Sequence, residues 1–385
     1  TQSNQNGTTM MDHADPRRIL LAVTGLTPQV VTETLYALAC RTEDPWIPHE
    51  VHLITTSTGA SNAQLNLLNP DGWFHRLCAD YHLPAIAFPE ANIHVLCDDQ
   101  GQPLEDIRTQ AHNTLAADFI TEVVRQLTAD PQSELHVSIA GGRKTMGYYL
   151  GYALSLYGRP QDRLSHVLVS DPYETNREFY YPTPYLHRIH SKRGDKEVTL
   201  DARHAVVDLA AIPFVQLRQG LPDNLRHGQT TFTRAVATAN RGMEPPRLEI
   251  DISQYQVRAD DQVVKLSETE CLVLLWLAQR AARGEAATDW SARDMAEEFL
   301  GLVAQVTNPM SGHYDRIART FEESHFVAVR IGKYFEPHKS RINKVFEQTL
   351  GTLPAARYQI DRVRHAERTY FCLPLEPDQI SIQSH

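Results

Sequence analysis

From Arg17 to Ser170 the chain alternates short apolar runs, rich in β-branched residues, with stretches at helical period. That alternation constrains its fold more than any other feature. Arg17-Arg-Ile-Leu-Leu-Ala-Val23 reads as a buried strand, followed by Thr24-Gly-Leu-Thr-Pro28 and a helix over Val30–Cys40. Thr27 suits the N-cap, and Pro28 the first helical position, where a missing N–H costs nothing. The pattern predicts further strands at Val51–Thr55, Ile93–Leu96, Glu134–Ala140 and Leu164–Ser170. Helices are predicted near Ala63–Tyr81, over Glu105–Leu127 and, after a break at Gly141-Gly142, over Lys144–Tyr157. Alternation of this kind calls for an α/β domain with a largely parallel sheet and right-handed crossovers.

The pattern is weaker from 172 to 245, where Glu178–Tyr181 is a candidate strand and Thr230–Ala239 a candidate helix. Asn240–Pro246, with Gly242 and Pro245-Pro246, is the strongest linker signal. Beyond it the class changes. Arg247–Tyr255 and Gln262–Leu266 read as antiparallel strands around a turn at Ala259–Asp261. Ser267-Glu-Thr-Glu270 opens an apolar helix as a capping box, with helices to follow at Asp289–Leu302 and Pro337–Leu350. Strands at Arg357–Val363 and Thr369–Leu375 flank a turn at Arg364–Glu367. The expected division is a disordered leader (1–16), a ligand-binding α/β domain (17–185), a connecting segment and linker (186–246), an α+β domain (247–376) and a tail (377–385).

Composition narrows the function. No apolar stretch approaches the roughly 20 residues of a membrane helix, and the polar N-terminus fits no signal peptide. The five cysteines are scattered without a C-x-x-C pair, which points to reduced thiols and a cytoplasmic setting. His187-x-x-His190 lacks acidic or cysteine partners at ligand spacing, so no metal and no resident cofactor is expected. The formal charge of −10 is uneven: residues 311–372 carry +4 and the remainder −14. A basic module on an acidic body suggests one local anionic partner.

In open α/β sheets ligands bind beyond the carboxyl ends of the strands, near the point where strand order reverses. Thr24–Gln29 and Gly141–Thr145 both stand at such ends, and each leads into a helix N-terminus that favours anions. Gly25, Gly141 and Gly142 allow close backbone approach, Arg143 and Lys144 add charge, and Thr24, Thr27 and Thr145 add hydroxyls. Neither loop has Walker A or G-x-G-x-x-G spacing. The plainer reading is a tight turn with a solvated first helical turn. Two adjacent cations there oppose the helix dipole by about 0.3–1 kcal/mol each, a cost that a bound anion would relieve.

Thr24-Gly-Leu-Thr-Pro-Gln-Val-Val-Thr-Glu33 and Ser138-Ile-Ala-Gly-Gly-Arg-Lys-Thr-Met146 resemble the two signature loops of CRISPR-associated Rossmann-fold (CARF) domains. The likeness covers about residues 17–185 and is strongest to the ring-nuclease type of type III CRISPR systems. It implies a Rossmann-like fold and a homodimer binding cyclic oligoadenylate, usually the tetra-adenylate, across the two-fold axis. It also implies metal-independent cleavage by in-line attack of a ribose 2′-OH. Lys144 would then stabilise phosphoryl charge with Arg143 as helper, and Thr24 or Thr27 would orient the attacked phosphate. Gly25, Pro28, Gln29, Gly141, Gly142 and Thr145 would line the ligand. Thr56 and Ser170, at two further strand ends, are candidates for the base pocket, with Tyr173 stacking on adenine.

The second domain resembles winged helix-turn-helix output domains of response-regulator type. The residues concerned are Val264–Glu270, Lys339-Ser-Arg-Ile-Asn-Lys344 before Gly351, and Tyr358 with Tyr370. That likeness implies Lys339, Arg341 and Lys344 facing the major groove of double-stranded DNA, with Arg362 and Arg364 on the wing. A protein-docking or dimerising module is the alternative. Arg319-Thr-Phe-Glu-Glu-Ser-His325 also fits the Arg-x4–6-His spacing of HEPN ribonucleases, although those domains are wholly helical.

Overall fold

The structure, a computed structural model, describes residues 16–193, 196–227, 231–241, 245–285, 288–365 and 368–383. The expected leader up to Asp15 and Gly242 of the expected linker lie outside them. The chain divides into two compact units, residues 1–216 with 230–232, and residues 217–229 with 233–385.

The first unit carries the expected α/β pattern. In order it runs β1 (Arg17–Val23), α1 (Gln29–Ala39), β2 (Glu50–Thr55), α2 (Ser57–Ala63), α3 (Trp73–Asp80) and β3 (Ile93–Val95). Then come α4 (Gln110–Leu127), β4 (Ser133–Ser138), α5 (Lys144–Tyr157), β5 (Arg163–Val169), β6 (Arg188–Arg193), β7 (Lys196–Asp201) and β8 (Val207–Ala211). The main sheet has the order β3-β2-β1-β4-β5-β8, all parallel except β8, which pairs antiparallel with β5. β1 is central, paired with β2 on one side and β4 on the other. Its residues Ile19 to Val23 are at most 1% exposed, the both-faces burial that an unbroken apolar run encodes.

Several boundaries differ from expectation. The span 186–246 is not merely a connector, because β8 completes the main sheet and β6–β7 form a hairpin. Glu178–Tyr181 is not a strand. Phe179, Tyr180 and Tyr181 are buried in the core, so their apolarity reports packing without sheet pairing. The helix expected over Glu105–Leu127 starts only at Gln110, where Thr109 caps it by accepting from the His112 N–H at 3.1 Å.

The second unit contains α6 (Asp223–His227) and all of α7 (Phe232–Arg241) except its first residue. There follow β9 (Leu248–Asp251), β10 (Gln256–Ala259), β11 (Gln262–Val264), α8 (Glu268–Ala282), α9 (Arg293–Val306) and α10 (His313–Glu323). It closes with α11 (Ala328–Leu350), α12 (Thr352–Ala355), β12 (Asp361–His365), β13 (Arg368–Cys372) and β14 (Ile380–Gln383). β11, β10, β9 and β14 form one sheet, with β14 parallel to β9, so the expected tail is an integral strand. The capping box forms: Ser267 Oγ accepts from the Glu270 N–H at 3.3 Å, and the Glu270 carboxylate accepts from the Ser267 N–H at 3.0 Å. The second helix begins later than expected because Asp289 instead closes a turn, accepting from the Ser291 N–H and hydroxyl.

Pro337 lies inside α11 rather than at its start. It removes one backbone hydrogen bond, yet Ile331 and Phe335 on the preceding turns are fully buried, the Phe335 ring against Trp276, Trp290 and Phe299. Packing of that face overrides the local break. Truncating Phe335→Ala is therefore expected to cost about 3–5 kcal/mol and to release residues 328–336 first. Hydrogen exchange would show lost protection there while 338–350 remains protected; uniform loss along the helix would contradict this division.

Candidate functional site

The reversal of strand order lies between β1 and β4, and the loops that follow them meet there. Gly141 sits so close that an added Cβ would stand 2.5 Å from the Val23 carbonyl oxygen and 3.3 Å from Thr24 Cα. Gly142 adopts φ +77°, a conformation glycine takes without strain. The first loop is also tied to β2 and α2. The Thr24 N–H donates to the Ile54 carbonyl at 3.0 Å, Thr55 Oγ1 donates to the Thr24 carbonyl at 2.9 Å, and Asn62 Nδ2 donates to the Leu26 carbonyl at 2.8 Å. Three strand ends thus hold both loops in one place.

The two adjacent cations behave differently. Arg143 N-caps α5 and forks onto Asp106, with Nε and Nη2 at 2.8 and 2.5 Å from the two carboxylate oxygens. The Arg143 guanidinium holds the Asp106 carboxyl down at about 2, with Arg108 assisting at 3.3 Å. Lys144, the first residue of α5, is exposed and has no ion-pair partner among the described residues. Part of the charge at this helix start is therefore neutralised within the chain. Asp106 was not anticipated from the sequence, because its segment reads as the opening of a helix.

The hydroxyls also separate. Thr24 is fully buried and its Oγ1 has no hydrogen-bond partner among the described residues, whereas Thr27 and Thr145 are exposed. Thr27 does not cap α1; Pro28 occupies the N-cap position, and no side chain caps that end. Gln29 is buried, donating from Nε2 to the Arg177 carbonyl at 2.8 Å, while its Oε1 has no partner among the described residues. Pro28 is buried beside it, and Gly25 is half-buried.

Thr56 caps α2 by accepting from the Gly59 N–H at 3.3 Å, and Ser170 Oγ accepts from the Val206 N–H at 2.9 Å. Tyr173 requires correction as a stacking residue. Its ring is 7% exposed against Phe179, and its hydroxyl donates to the Asp201 carbonyl at 2.9 Å, leaving no face for a base.

In the second unit, Arg341 Nε donates to Glu270 at 2.7 Å, and the Lys339 ammonium lies 5.4 Å from the Phe371 ring centre. Lys339 is half-buried, Arg341 keeps its ion pair while remaining exposed, and Lys344 and Arg362 are exposed; the Arg364 side chain lies outside the described residues. Arg319 and His325 are exposed, in a unit that contains the sheet β9–β11 with β14 and the β12–β13 hairpin, unlike a wholly helical HEPN domain. No group of three or more potential metal ligands occurs among the described residues. No described helix is long and apolar enough to cross a membrane.

Glu33, one turn along α1 from Gln29, is 6% exposed. Burial, with the nearby Glu174 charge, pushes its carboxyl up to about 8. The folded state then binds this proton more tightly than the unfolded chain does. The cost is absent below about 4.5, grows as pH rises towards 8 and is constant above that. Glu33→Gln is expected to stabilise the protein at pH 8.5 by on the order of a few kcal/mol, and little at pH 5. Denaturant titrations at both pH values check this, and an equal effect at both would contradict it.

The family model described as CRISPR-associated protein NE0113 matches residues 27–244. No curated protein matches the chain. Among solved structures, Enterococcus italicus Csm6 bound to cyclic hexa-2'-fluoro-hexa-dAMP is similar at 12% identity, over 85% of this chain and 59% of that one, with a TM-score of 0.26. A type III CRISPR defence DNA nuclease activated by cyclic oligoadenylate is similar at 16% identity, over 83% of this chain and 35% of that one, with a TM-score of 0.24. The chain thus spans less than two thirds of either structure's length, and likenesses this remote carry no argument about function. The family model, however, covers more than half of the 385 residues, and the chain belongs to the CRISPR-associated NE0113 family.

Proposed function

We propose that the first unit is a CARF domain that binds a cyclic oligoadenylate, the tetra-adenylate, across a cytoplasmic homodimer and cleaves it slowly. The observation that supports this most is the convergence of the two loops at the strand-order reversal, with an exposed, unpaired Lys144 beside glycine-lined backbone. Membership of a CRISPR-associated family and the loop motifs agree with it.

In this reading a ribose 2′-hydroxyl attacks the adjacent phosphorus and gives up its proton to solvent as the P–O2′ bond forms. The P–O5′ bond breaks, leaving a 2′,3′-cyclic phosphate, and the 5′-oxygen takes up a proton. The protein's part is to hold the 2′-oxygen, phosphorus and leaving oxygen in line and to stabilise phosphoryl charge. Lys144 supplies that charge, and the exposed Thr27 positions the phosphate. Thr24 lies deeper and needs a shift of the loop to reach a ligand. Arg143, already held by Asp106, assists from a fixed position. Neither loop offers a carboxylate or histidine for proton transfer, which accords with slow turnover.

Incubation of the protein with labelled cyclic tetra-adenylate in EDTA is expected to yield linear products ending in 2′,3′-cyclic phosphate. Lys144→Ala should retain binding but lose turnover by roughly a hundredfold. Intact ligand after long incubation at high protein concentration would sink the cleavage reading.

The second unit is proposed as a winged-helix-type module, and DNA binding by it is the alternative function. Exposed Lys344 and Arg362 favour that alternative, whereas the engaged Lys339 and Arg341 weaken it. A gel shift with double-stranded DNA at low salt is expected to show a complex that Lys344→Ala together with Arg362→Ala weakens. An absent shift removes the DNA-binding reading.

A further inference from the structure

A site for an adenylate must grip phosphates and must also meet bases. The glycine seam and Lys144 suit the first task, and the buried Tyr173 cannot perform the second. Lys144, Tyr148 and Tyr152 follow one another at intervals of four along α5, so they share one stripe of that helix. Tyr148 is 62% exposed, more than any other tyrosine, phenylalanine or tryptophan among the described residues.

Its neighbours are explained by packing. The Phe232 ring stands edge-on to Tyr149 at 5.1 Å and to Tyr152 at 5.5 Å, and Asn113 Nδ2 donates to the Tyr149 hydroxyl at 2.5 Å. Tyr148 meets those two tyrosines at 5.8 and 5.9 Å. Among the described residues no other ring meets it, and its hydroxyl makes no hydrogen bond. Helical side chains lean toward the N-terminus, so this ring reaches over the first turn of α5, where Lys144 stands. Four residues correspond to about 6 Å along the axis, comparable with the step from a phosphate across its ribose to the base. Leu26, on the first loop, is as exposed as Tyr148. The two loops touch, since an added Cβ on Gly25 would stand 3.6 Å from Gly142 Cα. Phosphate binding alone gives no reason for exposed apolar side chains on both loops' flanks.

We infer that Tyr148 is the base-reading residue of the loop site: an adenine stacks on its open face while Lys144 meets the adjoining phosphate. This role rests on the cyclic-oligoadenylate reading above. Tyr149 and Tyr152, themselves held by Phe232, brace the ring, so little order is lost when a base settles on it. A stacking platform responds to the extent of the base's π-face, which favours purine rings over pyrimidine rings.

Calorimetric titration of the full chain with cyclic tetra-adenylate and with synthetic cyclic tetra-uridylate tests this. The unsubstituted protein is expected to prefer the adenylate ring. Tyr148→Ala should weaken cyclic tetra-adenylate by about tenfold or more and cyclic tetra-uridylate by less, so that the preference shrinks. Tyr148→Phe, which keeps the π-face, should retain the original affinity. Thermal unfolding and sedimentation of Tyr148→Ala should be unaltered, because the side chain is exposed. Undiminished adenylate binding in Tyr148→Ala, an equal fractional loss for both rings, or dissociation of a dimer in that variant would each overturn the stacking role while leaving ring binding in place. Failure of the unsubstituted protein to bind either ring would remove the cyclic-oligoadenylate reading, and the stacking role with it.

Discussion

The first unit depends on how closely β1 and β4 approach at their carboxyl ends. Parallel pairing from Arg17 with Ser133 to Ala22 with Ser138 brings two strand ends level. At that level any side chain on Gly141 would meet the Val23 carbonyl. The residue that allows contact thus also sets where the following helix begins. From it follow the left-handed Gly142, the N-cap at Arg143 and the position of Lys144 on the first turn of α5. The hydrogen bonds from Thr55 and Asn62 brace the other loop from the next strand over. The candidate site is built largely from backbone with few side chains, which agrees with the proposed phosphate-bearing ligand.

Much of this was legible in the sequence, because buried parallel strands and amphipathic helices write their periods directly into residue type. Arg17–Val23 and Val51–Thr55 are expected strands that fall on β1 and β2, the expected Glu134–Ala140 overlaps β4 with its bounds shifted, and Gly141-Gly142 marks the break before α5. What was not legible depended on distant partners. Asp106 looks like the acidic first turn of a helix, yet Thr109 starts that helix and frees the carboxylate for Arg143, a partner 37 residues away. Tyr173 is aromatic at a strand end, as a base-stacking residue would be, but only the fold shows Phe179 and Asp201 enclosing it. In α11 the local signal of Pro337 pointed to a helix start, and burial of Ile331 and Phe335 decided otherwise.

The second unit shows the same limit in its charges. Lys339, Arg341 and Lys344 share a basic stretch in the sequence, and from spacing alone they form one set. In the fold they divide among an aromatic ring, the carboxylate of a capping box and open solvent. Glu270 links two levels here, since it closes the start of α8 and also fixes a guanidinium from α11. A net positive segment is thus partly spent on internal cohesion.

The fork between Arg143 and Asp106 has a kinetic consequence. At distances beyond a few ångströms a bidentate ion pair is a dipole, so its field falls off faster than that of a free charge. In the proposed reading, an approaching anion is drawn at long range by Lys144 and by the one positive charge that Asp106 leaves on Arg143 and Arg108 together. Capture at this loop, in that reading, responds to ionic strength as two screened charges would, although three cations stand around it.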